Sequence, residues 1–294
     1  MIQRLKSLKK ITLIYQYQMK EKKFICIGIS IKLGWFLMTR NKLNNILGLP
    51  GIIFLSIFFF TPSLFIFRYI FGSRTRTGKT SFDKIYFDSF SQLLDFNVVP
   101  IINKSVVTAF FVTLICFIVG YPFAYYIKKL STTMKYFSLF LISIPFLTNF
   151  LSRTYSWKIL VSKNGLITKY VSMFYDVSSL LFTDFAVVLG MVYVYLPFMI
   201  LPIFTSLENI EDSLLESAKD LYANPFKAFY YVTFKLSLPG VIAGVVLTFI
   251  PSLGAYIIPQ ILGGSKSMYL GNFTVLQFIQ ASNWPLGSLV SLII

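Results

Sequence analysis

The stretch ENIEDSLLESAKDLYANPFKAFYYVTFKLSLPG, residues 208–240, combines charges of both signs with a periodic apolar pattern. One uncharged apolar run, residues 185–207, ends directly before this stretch. A second one, residues 236–265, overlaps the last residues of the stretch and continues beyond it. Each run is long enough to cross the ~30 Å hydrocarbon core of a bilayer as a helix. The stretch is therefore predicted to be a partly helical loop between two membrane spans.

The whole composition agrees with a polytopic membrane protein. Hydrophobic residues make up 56% of the 294 residues, and the mean hydropathy is +0.71. Such values are far from those of a soluble domain. Three more apolar runs, residues 46–67, 105–127 and 136–160, bring the expected total to five complete spans. The fold class expected is all-α.

The segment after residue 265 differs from the other apolar runs. Residues 267–283 carry several amides and are predicted to form a re-entrant or surface helix. From Trp284 onward only about ten residues of a sixth span are present, against the roughly twenty that a crossing needs. We therefore expect a partial sixth span and an incomplete chain.

The charge distribution predicts the orientation. The net charge is +16, and the excess Lys and Arg are concentrated in residues 1–45 against a single acid, Glu21. The positive-inside rule then places the N-terminus and the 208–236 loop in the cytoplasm. Residues 1–45 are expected to form a basic tail on anionic lipid, and Met38 is an alternative start. Base-reading motifs are missing, which argues against nucleic-acid binding.

The sequence also argues against catalysis by this chain. Histidine is absent, and Cys26 and Cys116 both stand in apolar surroundings, so we expect no catalytic site, metal site or cofactor. All acids fall in loops, tails or span edges, whereas ion-coupled carriers usually need an ionisable group within the membrane. No nucleotide-binding motif is present. Energy for transport would have to come from a separate ATPase that docks on the cytoplasmic loop.

The loop has the pattern of a docking helix. In residues 210–220, Leu214, Leu215, Ala218 and Leu221 recur at spacings of three and four, opposite charged positions. This apolar face is predicted to enter a hydrophobic groove on a partner. The alternative is an ordinary loop helix that packs on its own membrane domain.

The segment Glu216-Ser217-Ala218-Lys219-Asp220-Leu221, followed by Ala223, resembles the EAA loop of ABC importer permeases. Further motifs, VGYPFA at 119–124, IPFLTN at 144–149, LPFM at 196–199 and NWPLG at 283–287, extend the resemblance over residues 46–294. Gly263-Gly264, Gly271-Asn272 and Gln277-Phe278 belong to the same set. Together they are most similar to the permease subunits of spermidine/putrescine ABC importers.

This resemblance implies a type I ABC importer transmembrane domain at residues 46–294, in a bacterial inner membrane. It also implies three protein partners: a cytoplasmic ABC ATPase homodimer, a second homologous permease and a periplasmic or surface polyamine-binding protein. The expected ATPase-contact residues are Glu216, Ser217, Ala218, Asp220, Leu221, Tyr222 and Ala223.

Aromatic side chains are candidates for lining the path of a polyamine. Without buried carboxylates, a cation can be guided by cation-π attraction to ring faces. The candidates are Tyr155, Trp157, Tyr193 and Tyr195. The alternative is that these rings pack inside the protein or form an interfacial belt.

Three residues depart from the family pattern. Tyr222 stands where the family has a turn-forming glycine, Lys235 where proline is common, and Ser217 where the first alanine is expected. Because a residue with a side chain disfavours positive φ, either the turn is rebuilt or coupling is weakened. Three other functional interpretations stay open: a permease for thiamine, iron or sulfate, a non-transporting membrane scaffold, and a decayed copy.

Overall fold

A computed structural model describes residues 42–75, 78–176, 178–264 and 267–294. Most of the expected basic tail, residues 1–41, lies outside the described residues. The described part is helical except for loops and one antiparallel pair of short strands, β1 Ser73–Arg74 and β2 Thr80–Ser81. The α-helices are α1 Lys42–Ile70, α2 Asp88–Leu93, α3 Val99–Lys128, α4 Thr132–Leu147, α5 Phe150–Val161, α6 Leu166–Ser172, α7 Asp184–Glu208, α8 Asp212–Asp220, α9 Pro225–Ala228, α10 Lys235–Leu253, α11 Leu270–Val275 and α12 Trp284–Ile293.

Three π-helical segments interrupt or follow these helices. They are Phe229–Phe234, Pro259–Gly263 and Leu276–Gln280. The first joins α9 to α10, so the helix from Pro225 to Leu253 is continuous over 29 residues. The described residues form two compact units, one of residues 42–68 and 210–236, the other of residues 69–209 and 237–294.

The expected all-α, polytopic membrane fold is confirmed. In the part of the chain that the structure describes, four helical stretches are long and apolar enough to cross a bilayer: Leu49–Ile70, Val99–Lys128, Asp184–Glu208 and Pro225–Leu253. A bent pair of helices makes a fifth if it is counted as one span. α12 is a shorter apolar helix, as expected for a partial sixth span.

The span predicted at residues 136–160 is formed by two helical stretches rather than by one. Two helical stretches, Thr132–Leu147 and Phe150–Ser172, meet there at an angle of 94°. Thr148 is extended, and the side chain of Asn149 accepts hydrogen bonds from the backbone N–H groups of Leu151 and Ser152. Asn149 is thus the N-cap of a new helix, which explains why the chain turns inside an apolar run.

The predicted span at residues 236–265 is too long, because α10 ends at Leu253. Gly271, at the start of α11, lies against the backbone of Gly254 and Ala255, and a Cβ there would come within 2.5 Å of the Ala255 carbonyl oxygen. The first half of the 267–283 segment is therefore buried rather than on the surface. Its buried residues are Leu270, Gly271, Asn272 and Phe273.

Close contacts at glycines hold α7 between α3 and α10. A Cβ on Gly120 of α3 would meet Met199 at 3.2 Å, and one on Gly240 of α10 would lie 2.5 Å from the Pro202 carbonyl oxygen. A Cβ on Gly244 of α10 would likewise come close to Met199 of α7. Lipid tails are as apolar as leucine, so membrane helices associate through close packing at small residues.

We predict that Gly240→Ala destabilises the protein by about 1–3 kcal/mol, because the new methyl group overpacks against a backbone carbonyl. Gly51→Ala is the matched control, since a Cβ at Gly51 has no neighbour within 4 Å. That control should be neutral or slightly stabilising, because alanine favours a helix over glycine. Thermal unfolding of the detergent-purified variants measures both, and equal melting temperatures would contradict the packing described.

Candidate functional site

Helix α8 is the centre of the 208–236 loop, and its ends are built by local interactions. Asp212 lies in its first turn and Lys219 in its last, so both charges complement the helix dipole. Glu211 is the N-cap residue, and its carboxylate accepts a hydrogen bond from the Ser213 hydroxyl. These features fix a short helix in an otherwise polar connection.

The apolar face of α8 packs against the chain itself. Ala218 is 1% exposed, and Leu214, Leu215 and Leu221 are half-buried. α8 contacts α9 and the π-helical segment Phe229–Phe234 that follows it. Neighbouring segments of the same loop thus cover part of this face, and its entry into a groove on a partner stays a prediction.

The opposite face of α8 carries the remaining predicted contact residues. Glu216, Ser217, Asp220 and Tyr222 are exposed, and Ala223 is half-buried. Two carboxylates and one aromatic ring are thus exposed in this part of the loop. Such a surface can pair with basic and apolar groups on another protein.

Tyr222 forms the turn that ends α8. Its φ is +54°, in the left-handed region that favours glycine. The Tyr222 N–H donates to the Lys219 carbonyl oxygen at 2.8 Å, and the Ala223 N–H donates to the Ala218 carbonyl oxygen at 3.1 Å. This pair of bonds is a Schellman motif. The turn therefore keeps the left-handed conformation that glycine would adopt, with tyrosine in its place.

The four aromatic candidates do not form one group. The rings of Trp157 on α5 and Tyr193 on α7 lie 5.1 Å apart. Tyr195 instead donates a hydrogen bond to the Pro251 carbonyl oxygen at 3.0 Å. Tyr155 is exposed, with the Lys158 ammonium 5.9 Å from its ring. Since Tyr193 and Tyr195 are two residues apart on a helix, their side chains point to different sides.

Tyr195 lines a small apolar pocket that sequence patterns did not indicate. Phe150 and Tyr256 are the other aromatic residues in its wall. The Arg153 guanidinium lies 5.7 Å from the Phe150 ring. A positive charge beside this wall disfavours a cationic ligand in the pocket.

Two ion pairs mark the ends of α7. At its C-terminal end, Glu208 accepts a hydrogen bond from Lys135 of α4 at 2.8 Å, directly before the loop that contains α8. At its N-terminal end, Asp184 pairs with Lys104 of α3 at 2.8 Å. The Asp184 carboxylate also accepts hydrogen bonds from Ser267 and Tyr269. Burial, and then the neighbouring carboxylate, raise the pKa of Tyr269.

Comparison with known proteins identifies the family. Residues 117–294 match the family described as "Binding-protein-dependent transport system inner membrane component". The chain belongs to this family. Its predicted membership among ABC importer permeases is thereby confirmed, and it is a multi-pass permease of an ABC importer.

Over most of its length the chain is also similar to proteins with an assigned function. It is 35% identical over 243 residues to the spermidine/putrescine transport system permease protein PotB of Escherichia coli strain K12, covering 81% of this chain and 87% of that one. It is 33% identical over 257 residues to PotB of Salmonella typhimurium strain SL1344, covering 86% and 88%. The expected resemblance to polyamine permeases is confirmed.

A solved structure has the same fold. It is a bacterial ABC transporter involved in the import of the acidic polysaccharide alginate, with a TM-score of 0.62 and 15% identity. The match covers 88% of this chain and 92% of that one. At this identity the likeness concerns the fold alone.

We predict that Tyr222→Gly leaves the end of α8 more stable than Tyr222→Val, by about 1–2 kcal/mol, because only glycine tolerates positive φ without a steric cost. Both changes remove the phenol ring, so their difference isolates the backbone. Hydrogen exchange of residues 212–224 measures it.

The same pair of changes at Ser217, inside the helix, is the control. At Ser217 the glycine variant should be no more stable than the valine variant, because glycine is the poorer helix former. Equal exchange of the two Tyr222 variants would show that the turn does not hold the left-handed conformation.

Proposed function

We propose that this chain is the membrane-spanning permease subunit of an ATP-driven polyamine importer. It would form the translocation path with a second homologous permease and receive spermidine or putrescine from a binding protein outside the membrane. ATP would be hydrolysed by a separate cytoplasmic ATPase homodimer, and this chain would have no catalytic role. The observation that carries the proposal is the 35% identity to PotB over most of both chains.

The proposed orientation follows from charge. Residues 1–45 would be a basic tail on the cytoplasmic side, and residues 46–294 the transmembrane domain. The 208–236 loop would then face the cytoplasm, where an ATPase can reach it. Lys104 and Asp184 would lie at the outer ends of α3 and α7.

Coupling would use the exposed face of α8. We assign the ATPase contact to Glu216, Ser217, Asp220, Tyr222 and Ala223, with Ala218 and the half-buried Leu221 supporting the helix from its packed side. Movement of the ATPase would push α8 against α9 and the π-helical segment. Because Pro225–Leu253 is a continuous helix, that displacement would pass into α10 within the membrane.

Inside the membrane, α10 packs against α7 through Gly240 and Gly244. Packed interfaces of this kind shift between discrete arrangements rather than deforming gradually. A displaced α10 would therefore carry α7 with it and change access to the path. We assign the rings of Trp157 on α5 and Tyr193 on α7 to the translocation path, where their faces would attract the passing cation.

We predict that Glu216→Arg prevents co-purification of the ATPase from membranes of the native strain while the chain remains inserted. The change reverses a charge on the exposed face of α8, which places like charges against a basic partner surface. The matched control is Asp176→Arg, which makes the same charge change at an exposed site in a predicted outer loop. The proposed coupling surface is wrong if both variants retain the ATPase.

Uptake by the assembled transporter tests the substrate. Deletion of this chain should abolish ATP-dependent uptake of radiolabelled spermidine and putrescine, and its return should restore it. Unlabelled polyamine should compete, whereas thiamine, ferric iron and sulfate should not. Competition by one of those three instead would reassign the substrate, and uptake that does not depend on the chain would support a scaffold.

A further inference from the structure

An ion pair with an aromatic wall lies where α3 and α7 begin. The Oδ1 atom of Asp184, the first residue of α7, accepts three hydrogen bonds. The donors are the Lys104 ammonium at 2.8 Å, the Ser267 hydroxyl at 2.9 Å and the Tyr269 hydroxyl at 2.9 Å. The Lys104 ammonium also lies 5.0 Å from the centre of the Tyr269 ring.

This cluster is open to its surroundings. The side chains of Asp184 and Lys104 are 56% and 33% exposed. Within the described residues, the second carboxylate oxygen, Oδ2 of Asp184, accepts no hydrogen bond. An incoming donor therefore has a charged acceptor within reach.

The cluster has the chemistry of an amine site. A carboxylate forms short, charge-assisted hydrogen bonds with an ammonium group, and an aromatic face adds cation-π attraction. A lysine side chain is itself a primary alkylammonium on a flexible four-carbon stem. Lys104 thus shows how such a group sits between Asp184 and Tyr269.

We propose that Asp184, Ser267 and Tyr269 form a binding site for a primary alkylammonium group, which Lys104 fills until the terminal amine of a substrate replaces it. The identification of that amine with one end of a polyamine rests on the proposed function. The site lies at the end of α3 and α7 that we assign to the outside. A polyamine would therefore meet it on arrival from the binding protein.

The exchange of one ammonium for another is physically reasonable. Ion pairs this exposed are held weakly because water screens them, and the long Lys104 side chain can move into solvent. The carboxylate does not depend on Lys104 for its position, since Ser267 and Tyr269 also donate to it. The Ser105 hydroxyl accepts a hydrogen bond from the Leu270 N–H at 2.8 Å, which holds the segment after Tyr269 on α3.

The competing explanation is a structural clamp between α3 and α7. Two substitutions distinguish these explanations. If the cluster is a binding site, the two substitutions change the KM for uptake in opposite directions, and if it is a clamp they do not. Lys104→Met removes the internal competitor and should lower the KM for putrescine uptake by the complete transporter. Asp184→Asn removes the acceptor charge and should raise the KM at least about tenfold, as expected for a lost hydrogen bond to a charged group.

Tyr269→Leu should raise the KM by a factor of about 2–5, which corresponds to the loss of one cation-π contact. The matched control is Asp95→Asn, an exposed acid on the same predicted side of the membrane, and it should leave the KM unchanged. A clamp predicts that Lys104→Met and Asp184→Asn impair uptake alike. That result would overturn the proposal.

A second measurement needs no substitution. In the purified transporter, acylation of Lys104 by an amine-reactive ester is measured by mass spectrometry as a ratio to the acylation of Lys163, an exposed lysine of the same chain. The ratio cancels the ester that putrescine itself consumes, and it should rise when putrescine is added. Sodium chloride at equal ionic strength should not have this effect. An unchanged ratio in a transporter that imports putrescine would contradict the exchange but leave the proposed function intact. A transporter that imports no polyamine would instead refute the proposed function.

Discussion

The close approach of α7 to its two neighbours is the constraint on which the membrane core depends. Between lipid-exposed helices there is no hydrophobic driving force, so contact requires small residues and good packing. Gly120 on α3 and Gly240 and Gly244 on α10 supply the space. A hydrogen bond from Tyr195 to the Pro251 carbonyl oxygen adds a polar contact between α7 and α10. This packing makes α7 and α10 move together in the mechanism that we propose.

The loop between α7 and α10 has its own internal support. α8 packs on the segments that lead into α10, and a Schellman motif centred on Tyr222 ends it. The positive φ of a tyrosine stores strain of about 1–2 kcal/mol. The loop therefore has a defined backbone shape without a partner, and Glu216 and Asp220 are exposed on it. A preformed surface loses less entropy on docking than a disordered one.

The sequence predicted the elements whose signals are local. Uninterrupted apolar runs located α3 and α7, and apolar periodicity located α8. The break at Asn149 was not predicted, because it lies within a largely apolar run and one capping side chain decides the geometry. The close approach of Gly271 to Gly254 and Ala255, just after α10, was also not predicted, because these residues are not adjacent in the sequence. The Asp184 cluster joins Asp184 to residues 80 to 85 positions away in the sequence, and no local pattern indicates such a contact.

The most direct test of the central claim is the ATPase activity of the complete transporter in lipid nanodiscs, with this chain, the second permease, the ATPase and the binding protein. A permease that couples polyamine passage to the ATPase predicts that spermidine-loaded binding protein stimulates ATP hydrolysis well above the rate with empty binding protein. Hydrolysis that is the same in both cases, in an assembly that contains this chain, would contradict the account.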